Sequence, residues 1–427
     1  MKKRIRTLIF IGAAAVLMIA GYFIYKAASA PVKEAGEMVL FEAAGIAEIS
    51  YEYEGETLSF VKEDGAWVYA PDKGYPLNAA YIRDMANALL SVTAAEKLEG
   101  GSPEEFGLAD PSCVITAVAD DGKEFRCQLG SDNDTVNIVY ARVDGGVYAI
   151  SDGFSRVFRH SLLEMASKDK LLDVEASEVT AFSLENGNGA LSLTQYPDGV
   201  PGGYSKNLTW AFSDGAYGDS EEMKKLIRTV ADMQPAECVS YKPDDSSLEL
   251  YGLKEPACTI NIEYNGGSLT VLIGRKNEDG RYAVCLPDKN VVYAVDPEAP
   301  DALLGYRQQD CLNRYVFLLD YSEIASVKVE NGTVSQVVDF ANRDEAWDFY
   351  YALSNMRAEG FADEALSDDG DVVLTVNMGD TGTVYTLRFA RYDENFYSVS
   401  FMDDNIKLVN KRDIERLLLL VQGLNNA

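Results

Sequence analysis

Histidine occurs once in the 427 residues, as His160. A single imidazole excludes any multi-histidine metal centre, and it leaves a Ser-His or Cys-His pair resting on one residue with no nucleophile motif beside it. The six cysteines, at 113, 127, 238, 258, 285 and 311, form no C-x-x-C and no metal-ligand spacing. Basic residues are scarce as well: 38 Lys and Arg stand against 68 Asp and Glu, a formal charge of −30. Residues 1–30 carry +5, from Lys2, Lys3, Arg4, Arg6 and Lys26, which leaves −35 on the other 397 residues. Such a surface repels nucleic acid and anionic headgroups, because phosphate binding needs cations that displace counterions.

Charge is absent between Arg6 and Lys26. An apolar helix over residues 5–26, at about 1.5 Å per residue, reaches roughly the 30 Å of a bilayer's hydrocarbon core. Basic residues before it place residues 1–4 in the cytoplasm by the positive-inside tendency, with Tyr22 and Tyr25 at the outer interface. Ala28-Ser29-Ala30 would suit signal-peptide cleavage. The length of the apolar run and Pro31 just after the cut favour an uncleaved anchor. On either reading the body lies outside the cytoplasm; the uncleaved anchor makes it a single-pass membrane protein, with residues 27–44 as a tether.

What the sequence has in plenty is repetition. Phe106-Gly107-Leu108, two spacers, then Pro111 and Cys113 return 145 positions later as Tyr251-Gly252-Leu253, Pro256 and Cys258. Glycine permits positive φ at a sharp corner, proline fixes φ ahead of a strand, and the flanking aromatic and leucine can enter a core. This is a joint between packed layers. A phosphate-binding loop would need clustered glycines before a helix, and here a strand follows.

Around the joint each copy has the same grammar. Hairpins cover Ile46 to Lys62 and Val179 to Gln195, each followed by a tryptophan, Trp67 or Trp210, and Pro197 to Asn207 reads as an extended hairpin loop. Helices begin after the N-caps Asn78, Asp219 and Asn342, with Glu222 and Glu345 placed for capping boxes. Their apolar stripes are Ile82, Met85, Ala86, Leu89; Met223, Leu226, Ile227, Val230; and Ala346, Phe349, Tyr350, Leu353. The third stripe marks a shortened third copy without the joint.

The hairpin after the joint alternates as Cys258, Ile260, Ile262 and Leu269, Val271, Ile273 in copy two. A three-residue loop Asp120-Asp121-Gly122 brings Cys113, Ile115, Ala117, Phe125, Cys127 and Leu129 onto one face in copy one, matching Val372, Leu374, Val376 and Tyr385, Leu387, Phe389 in copy three. Cys113, Cys127 and Cys258 are then buried small hydrophobes. Further strand pairs lead into helical segments near 154–166, 298–312 and 411–423. The fold class is α+β: a transmembrane helix followed by three tandem repeats of a mainly antiparallel sheet with covering helices. The repeats span 45–176, 177–321 and 322–427.

Candidate chemistry is thin, and no catalytic, cofactor-binding or metal residue is assigned. Asp132-Asn133-Asp134, Asp368-Asp369-Gly370-Asp371 and Asp403-Asp404-Asn405 lack the EF-hand continuation and read as solvated turns. Ser59 and Lys62 form an S-x-x-K within a strand, not at a helix start. Trp67 with Tyr69 and Tyr75, or Trp210 with Tyr204, could form an aromatic shelf for a sugar or peptide, although core packing accounts for them equally well. No motif selects a carboxylate pair for glycoside hydrolysis.

The basic N-terminus with one apolar span, the Trp-bearing hairpin, Phe106-Gly107-Leu108-x-x-Pro111, Leu129-Gly130 and Tyr140-Ala141-Arg142 resemble the bacterial domain-of-unknown-function family 4340. Tyr251-Gly252-Leu253-x-x-Pro256 and Ile273-Gly274 supply its second copy, and the resemblance covers most of residues 45–320. It implies a membrane-anchored envelope protein, of a kind often encoded beside gliding-type ABC transporters, with no catalytic residues to carry over. The expectation is a non-enzymatic, extracytoplasmic interaction protein with a protein partner and no nucleic acid. An envelope glycan or peptide binder is the alternative, and a carboxylate hydrolase comes last.

Overall fold

The structure is a computed structural model that describes residues 38–332, 334–363, 371–379, 381–402 and 405–423. The proposed membrane helix and most of the tether lie outside the described residues. The chain divides into two compact units, Met1–Met165 and Ala166–Ala427, so the second and third copies share one unit.

The first sheet is built from β1 (Met38–Glu42), β2 (Ile46–Tyr53), β3 (Glu56–Glu63), β4 (Ala66–Tyr69), β5 (Ser91–Leu98), β6 (Cys113–Ala119), β7 (Glu124–Asn133), β8 (Ile138–Val143) and β9 (Gly146–Ser151). Its order is β1-β5-β9-β8-β7-β6-β2-β3-β4, with α1 (Ala79–Leu89) burying Ile82, Met85 and Leu89. The second sheet holds β10 (Val179–Asn186), β11 (Gly189–Gln195), β12 (Trp210–Phe212), β13 (Pro235–Tyr241), β14 (Cys258–Tyr264), β15 (Gly267–Lys276), β16 (Tyr282–Leu286) and β17 (Val291–Val295). The third holds β18 (Ile324–Asn331), β19 (Val334–Asp339), β20 (Gly360–Ala362), β21 (Val372–Met378), β22 (Val384–Arg391), β23 (Phe396–Ser400) and β24 (Ile406–Asn410). Read from one end, the orders β13-β17-β16-β15-β14-β10-β11-β12 and β20-β24-β23-β22-β21-β18-β19 repeat the first sheet from β5 onward, and β1 has no counterpart in either among the described residues. The third copy has no counterpart of β4 and β12 among the described residues.

The expected hairpin register holds. Ala117 faces Phe125 and Ile115 faces Cys127, and Gly122, at φ +84°, closes the loop. Cys113, Ile115, Ala117, Phe125, Cys127 and Leu129 are all buried. The helices α3 (Ser220–Ala231) and α6 (Arg343–Ser354) cover the later sheets as α1 covers the first. Asn78 accepts from the Ala80 N–H, and Asp219 accepts from both Glu221 and Glu222. Asn342 makes no side-chain cap bond, and the Glu345 side chain lies outside the described residues.

The joint is a crossing of two glycines. Gly107 and Gly252 sit at φ +66° and +68°. The carbonyls just before them, Phe106 and Tyr251, accept the N–H of Ser131 and Arg275 at 2.8 Å. That approach runs over Gly130 and Gly274, where an added Cβ would lie 2.0 Å from the Phe106 oxygen and 2.2 Å from that of Tyr251. Ladder irregularities fall at the same points. In the third copy the equivalent of Gly130 is Ala390, and the Arg391 N–H donates to the Asp371 carboxylate at 2.7 Å.

Three segments depart from expectation. Residues 38–42, assigned to the tether, form β1 paired with β5, because Val39 and Phe41 favour strand and Phe41 buries its ring against Phe125, 4.8 Å away. The segment 154–166 is helical only at its start, as α2 (Asp152–Arg156). Beyond it the carbonyls are claimed by tertiary donors rather than by a helix ladder: Tyr51 donates to His160 at 2.7 Å, Tyr75 to Leu162, and the Asn78 N–H to Met165 at 2.8 Å. In the segment 298–312, α5 (Glu298–Gly305) likewise ends where the Asn186 amide donates to the carbonyls of Leu303, Leu304 and Tyr306. The last segment forms α7 (Lys411–Gly423) as expected.

The loop Pro197 to Asn207 does extend the β11–β12 hairpin, with Val200 donating to Leu208 at 2.7 Å. Its tip also enters the core of the third copy: Tyr204 and Leu208 are buried with Val316, Phe317 and Phe401, and the Tyr204 and Phe401 rings meet edge-on at 4.8 Å.

Candidate functional site

The chemically suggestive residues are dispersed. His160 lies in irregular chain rather than a helix, with its ring edge-on to Tyr81 at 4.7 Å and Nδ1 3.8 Å from Glu164. Ser59 shares a hydrogen bond with Ser50 at 2.9 Å across the β2–β3 ladder, and Lys62 is exposed. All six cysteines are buried and free, including Cys238, Cys285 and Cys311, whose positions the sequence did not fix. Burial pushes the thiols of Cys113, Cys127, Cys258 and Cys311 up to about 12, and those of Cys238 and Cys285 to about 11.

Asp132 pairs with Arg159 at 2.7 Å, and Asp371 serves the Arg391 N–H; residues 368–370, 403 and 404 lie outside the described residues. Among the described residues no group of three His, Cys, Asp or Glu could hold a metal. The aromatic shelf is corrected: Trp67 and Trp210 are buried and Tyr69 half-buried on their strands, Tyr75 is buried with its hydroxyl on the Leu162 carbonyl, and Tyr204 is buried against Phe401 in the core of the third copy.

A cleft of about 840 Å³ runs along α3 in the second unit, bounded by α5 and by residues 357–359 of the third copy. Three of its four carboxylates hold a cation, Glu222 with Lys225 at 3.5 Å, Asp301 with Lys276 at 3.1 Å and Asp310 with Arg307 at 3.3 Å, and the fourth, Glu359, accepts from the Asn410 amide at 3.0 Å. Bonds from the Tyr282 hydroxyl and from Lys276 hold the Asp301 carboxyl below the usual carboxylate range. An ionised, partnered carboxylate is poorly suited to act as a general acid.

At the cleft's inner wall, the fully buried Asp219 carboxylate caps α3 with one oxygen and takes the Arg357 guanidinium at 2.7 Å with the other. Arg357 also lies over the Tyr315 ring, 4.4 Å from its centre. The sequence marked Asp219 only as a cap. The signal for more was a charged residue at a position where the other copies use asparagine, Asn78 and Asn342.

A second feature emerges when the copies are aligned by sheet register and helix start. Four outward positions that are polar in the first two copies are apolar in the third. Ser59 and Ser192 become Val337, Arg83 and Lys224 become Trp347, Asn87 and Arg228 become Tyr351, and Glu124 and Ser268 become Val384. Val337 is 62% exposed and Tyr351 56%. Trp347 lies 5.4 Å from the Tyr321 ring with Arg343 over it at 4.9 Å. The periodicity of one copy could not reveal this, since each residue is ordinary alone.

No curated protein matches the chain. The model for a domain of unknown function, DUF4340, matches twice, over residues 67–237 and 210–371. Each match opens on the tryptophan of the fourth strand, Trp67 or Trp210, so its frame starts partway through a structural copy, and it runs into the third copy rather than stopping near residue 320. Two matches that between them span most of the described chain, each beginning on the same strand of the repeat, make the chain a member of the DUF4340 family.

Proposed function

We propose that this protein is a membrane-anchored, extracytoplasmic interaction protein without catalysis of its own, acting as an accessory subunit of an envelope complex of the ABC-transporter type. The observation that carries the reading is the change of the third copy's outward positions to Val337, Trp347, Tyr351 and Val384, where its sister copies keep polar residues. Outward side chains that become apolar while the packing beneath is retained are of the kind that contact with a protein partner uses.

Three further points support it. The charge-free run between Arg6 and Lys26 is long enough to span a bilayer. The residues that the copies share, above all the Gly-Leu corners, are used in packing. The transporter context is what the family resemblance implies. Among the described residues no helix is long and apolar enough to cross a membrane, so the anchor rests on residues 5–26 alone.

The test is affinity purification of the full-length chain from native membranes, with and without residues 1–30. Recovery of transporter subunits with the full chain supports the reading. Recovery of nothing above background, together with release of the untruncated chain by carbonate wash, would sink it. A glycan or peptide ligand is the second reading, favoured by the exposed Trp347 and Tyr351 on one face of α6; quenching of tryptophan fluorescence by peptidoglycan fragments that Trp347→Ala abolishes would select it.

A further inference from the structure

We propose that the free edge of β19 accepts an extended strand from a protein partner, which joins the third sheet where β4 and β12 complete the first and second. The inference deepens the interaction reading above and rests on it.

The first two copies show what belongs at this edge. There the chain turns back after the first hairpin and adds one short antiparallel strand, whose tryptophan, Trp67 or Trp210, enters the core. The Ala70 N–H donates to the Ser59 carbonyl at 2.9 Å, and the Ser213 N–H to that of Ser192 at 3.3 Å. Register makes Val337 the equivalent of both serines, so its N–H and C=O project outward from β19. Among the described residues no strand pairs with that edge.

The edge is also built unlike its counterparts. β4 and β12 are outermost strands of four and three residues, whereas β19 has six, with no Lys or Pro and its one charge, Asp339, at the last position. Long unguarded edges invite strand addition, and proteins that avoid it shorten or charge them. Gln336 stands at the position of Leu58 and Leu191, and its Oε1 is buried without a hydrogen-bond partner. A donor side chain on the incoming strand would satisfy it. Trp347 and Tyr351 are exposed on α6, the helix that packs against β19.

The occupant these features fit is a partner segment with an aromatic-x-aromatic pattern, as in Trp67-Val68-Tyr69 and Trp210-Ala211-Phe212. A second copy of this chain fits less well, because β19 has no aromatic residue to offer and two bodies of the same large negative charge repel.

The experiment uses full-length protein in detergent micelles and a fluorescein-labelled peptide with the sequence of residues 64–71, read by anisotropy. Saturable binding is expected, weakened at least tenfold by Val337→Pro, which removes only an outward N–H, and by Val337→Lys, which changes only an exposed side chain. Leu419→Lys, on the exposed side of α7, should leave binding unchanged. No binding, or equal binding to Val337→Lys, overturns the proposal. So does a dimer by light scattering that Val337→Lys dissolves, since a second copy would then fill the edge. If a membrane partner is captured as well by Val337→Lys as by the native chain, the strand site falls while the interaction reading stands.

Discussion

Arg357 of the third copy reaches 2.7 Å to the Asp219 carboxylate, the residue that starts the covering helix of the second. The Asp219 side chain thereby caps the start of a helix and ties two sheets into one unit.

Removing that carboxylate should cost both functions. Asp219→Ala is expected to destabilise the second unit by about 3 kcal/mol, from a lost cap and a lost charged hydrogen bond. Asp219→Asn keeps the cap and should cost about 1–2 kcal/mol. Adding Arg357→Ala to Asp219→Asn should change little further, because the two residues act as a pair. Urea unfolding midpoints measure all three, and additive losses would show the pair to be uncoupled.

The crossing of the joint over a strand glycine predicts a difference between copies. Gly130→Ala and Gly274→Ala place a methyl against a backbone carbonyl that cannot move without breaking the Ser131 or Arg275 bond, and each should cost about 2–4 kcal/mol. Ala390→Gly, at the same position in the third copy, should cost only about 1 kcal/mol. Equal costs at the three sites, measured by thermal melts, would mean that the crossing is not what demands glycine.

The joint also shows how far the sequence could be read. Its recurrence, the alternation on either side and the three helical stripes were enough to place the strands around the joint and the face of Cys113, Cys127 and Cys258, because period and packing agree there, but not the strand after each covering helix, β5, β13 and β20, nor β18 and β19 of the third copy. What escaped depends on contacts distant in sequence. The carbonyls of His160, Leu162 and Met165 look available for a helix until Tyr51, Tyr75 and Asn78 are seen to take them. Tyr204 reads as loop until Phe401 covers it. The Asp219 to Arg357 pair joins residues 138 positions apart, with no local pattern to announce it.

Thiol chemistry should be silent in the folded protein. Burial keeps every cysteine protonated at neutral pH, so Ellman's reagent should label none of the six until denaturant is added, at a rate that follows unfolding. Rapid modification of any one in native buffer would place that thiol at a surface.

Acid should loosen the second joint from its helix end. The short helix α4 (Asp245–Leu250) leads into Tyr251-Gly252, and its cap, Asp244, accepts from the Ser247 N–H and the Ser246 hydroxyl, each at 2.8 Å. Bonds from Ser247, its hydroxyl foremost, and then from Ser246 hold the carboxyl down at about 2, against an ordinary 3.8. A folded-state value below the unfolded one means that the cap's contribution is complete above about pH 4. It declines as pH falls from there and is gone once pH has dropped through about 2, so the amides of Ser246 and Ser247 should lose hydrogen-exchange protection over that interval. Asp244→Asn, which caps without titrating, should hold its protection through the same range; a native-like loss in that variant would assign the acid sensitivity to another group.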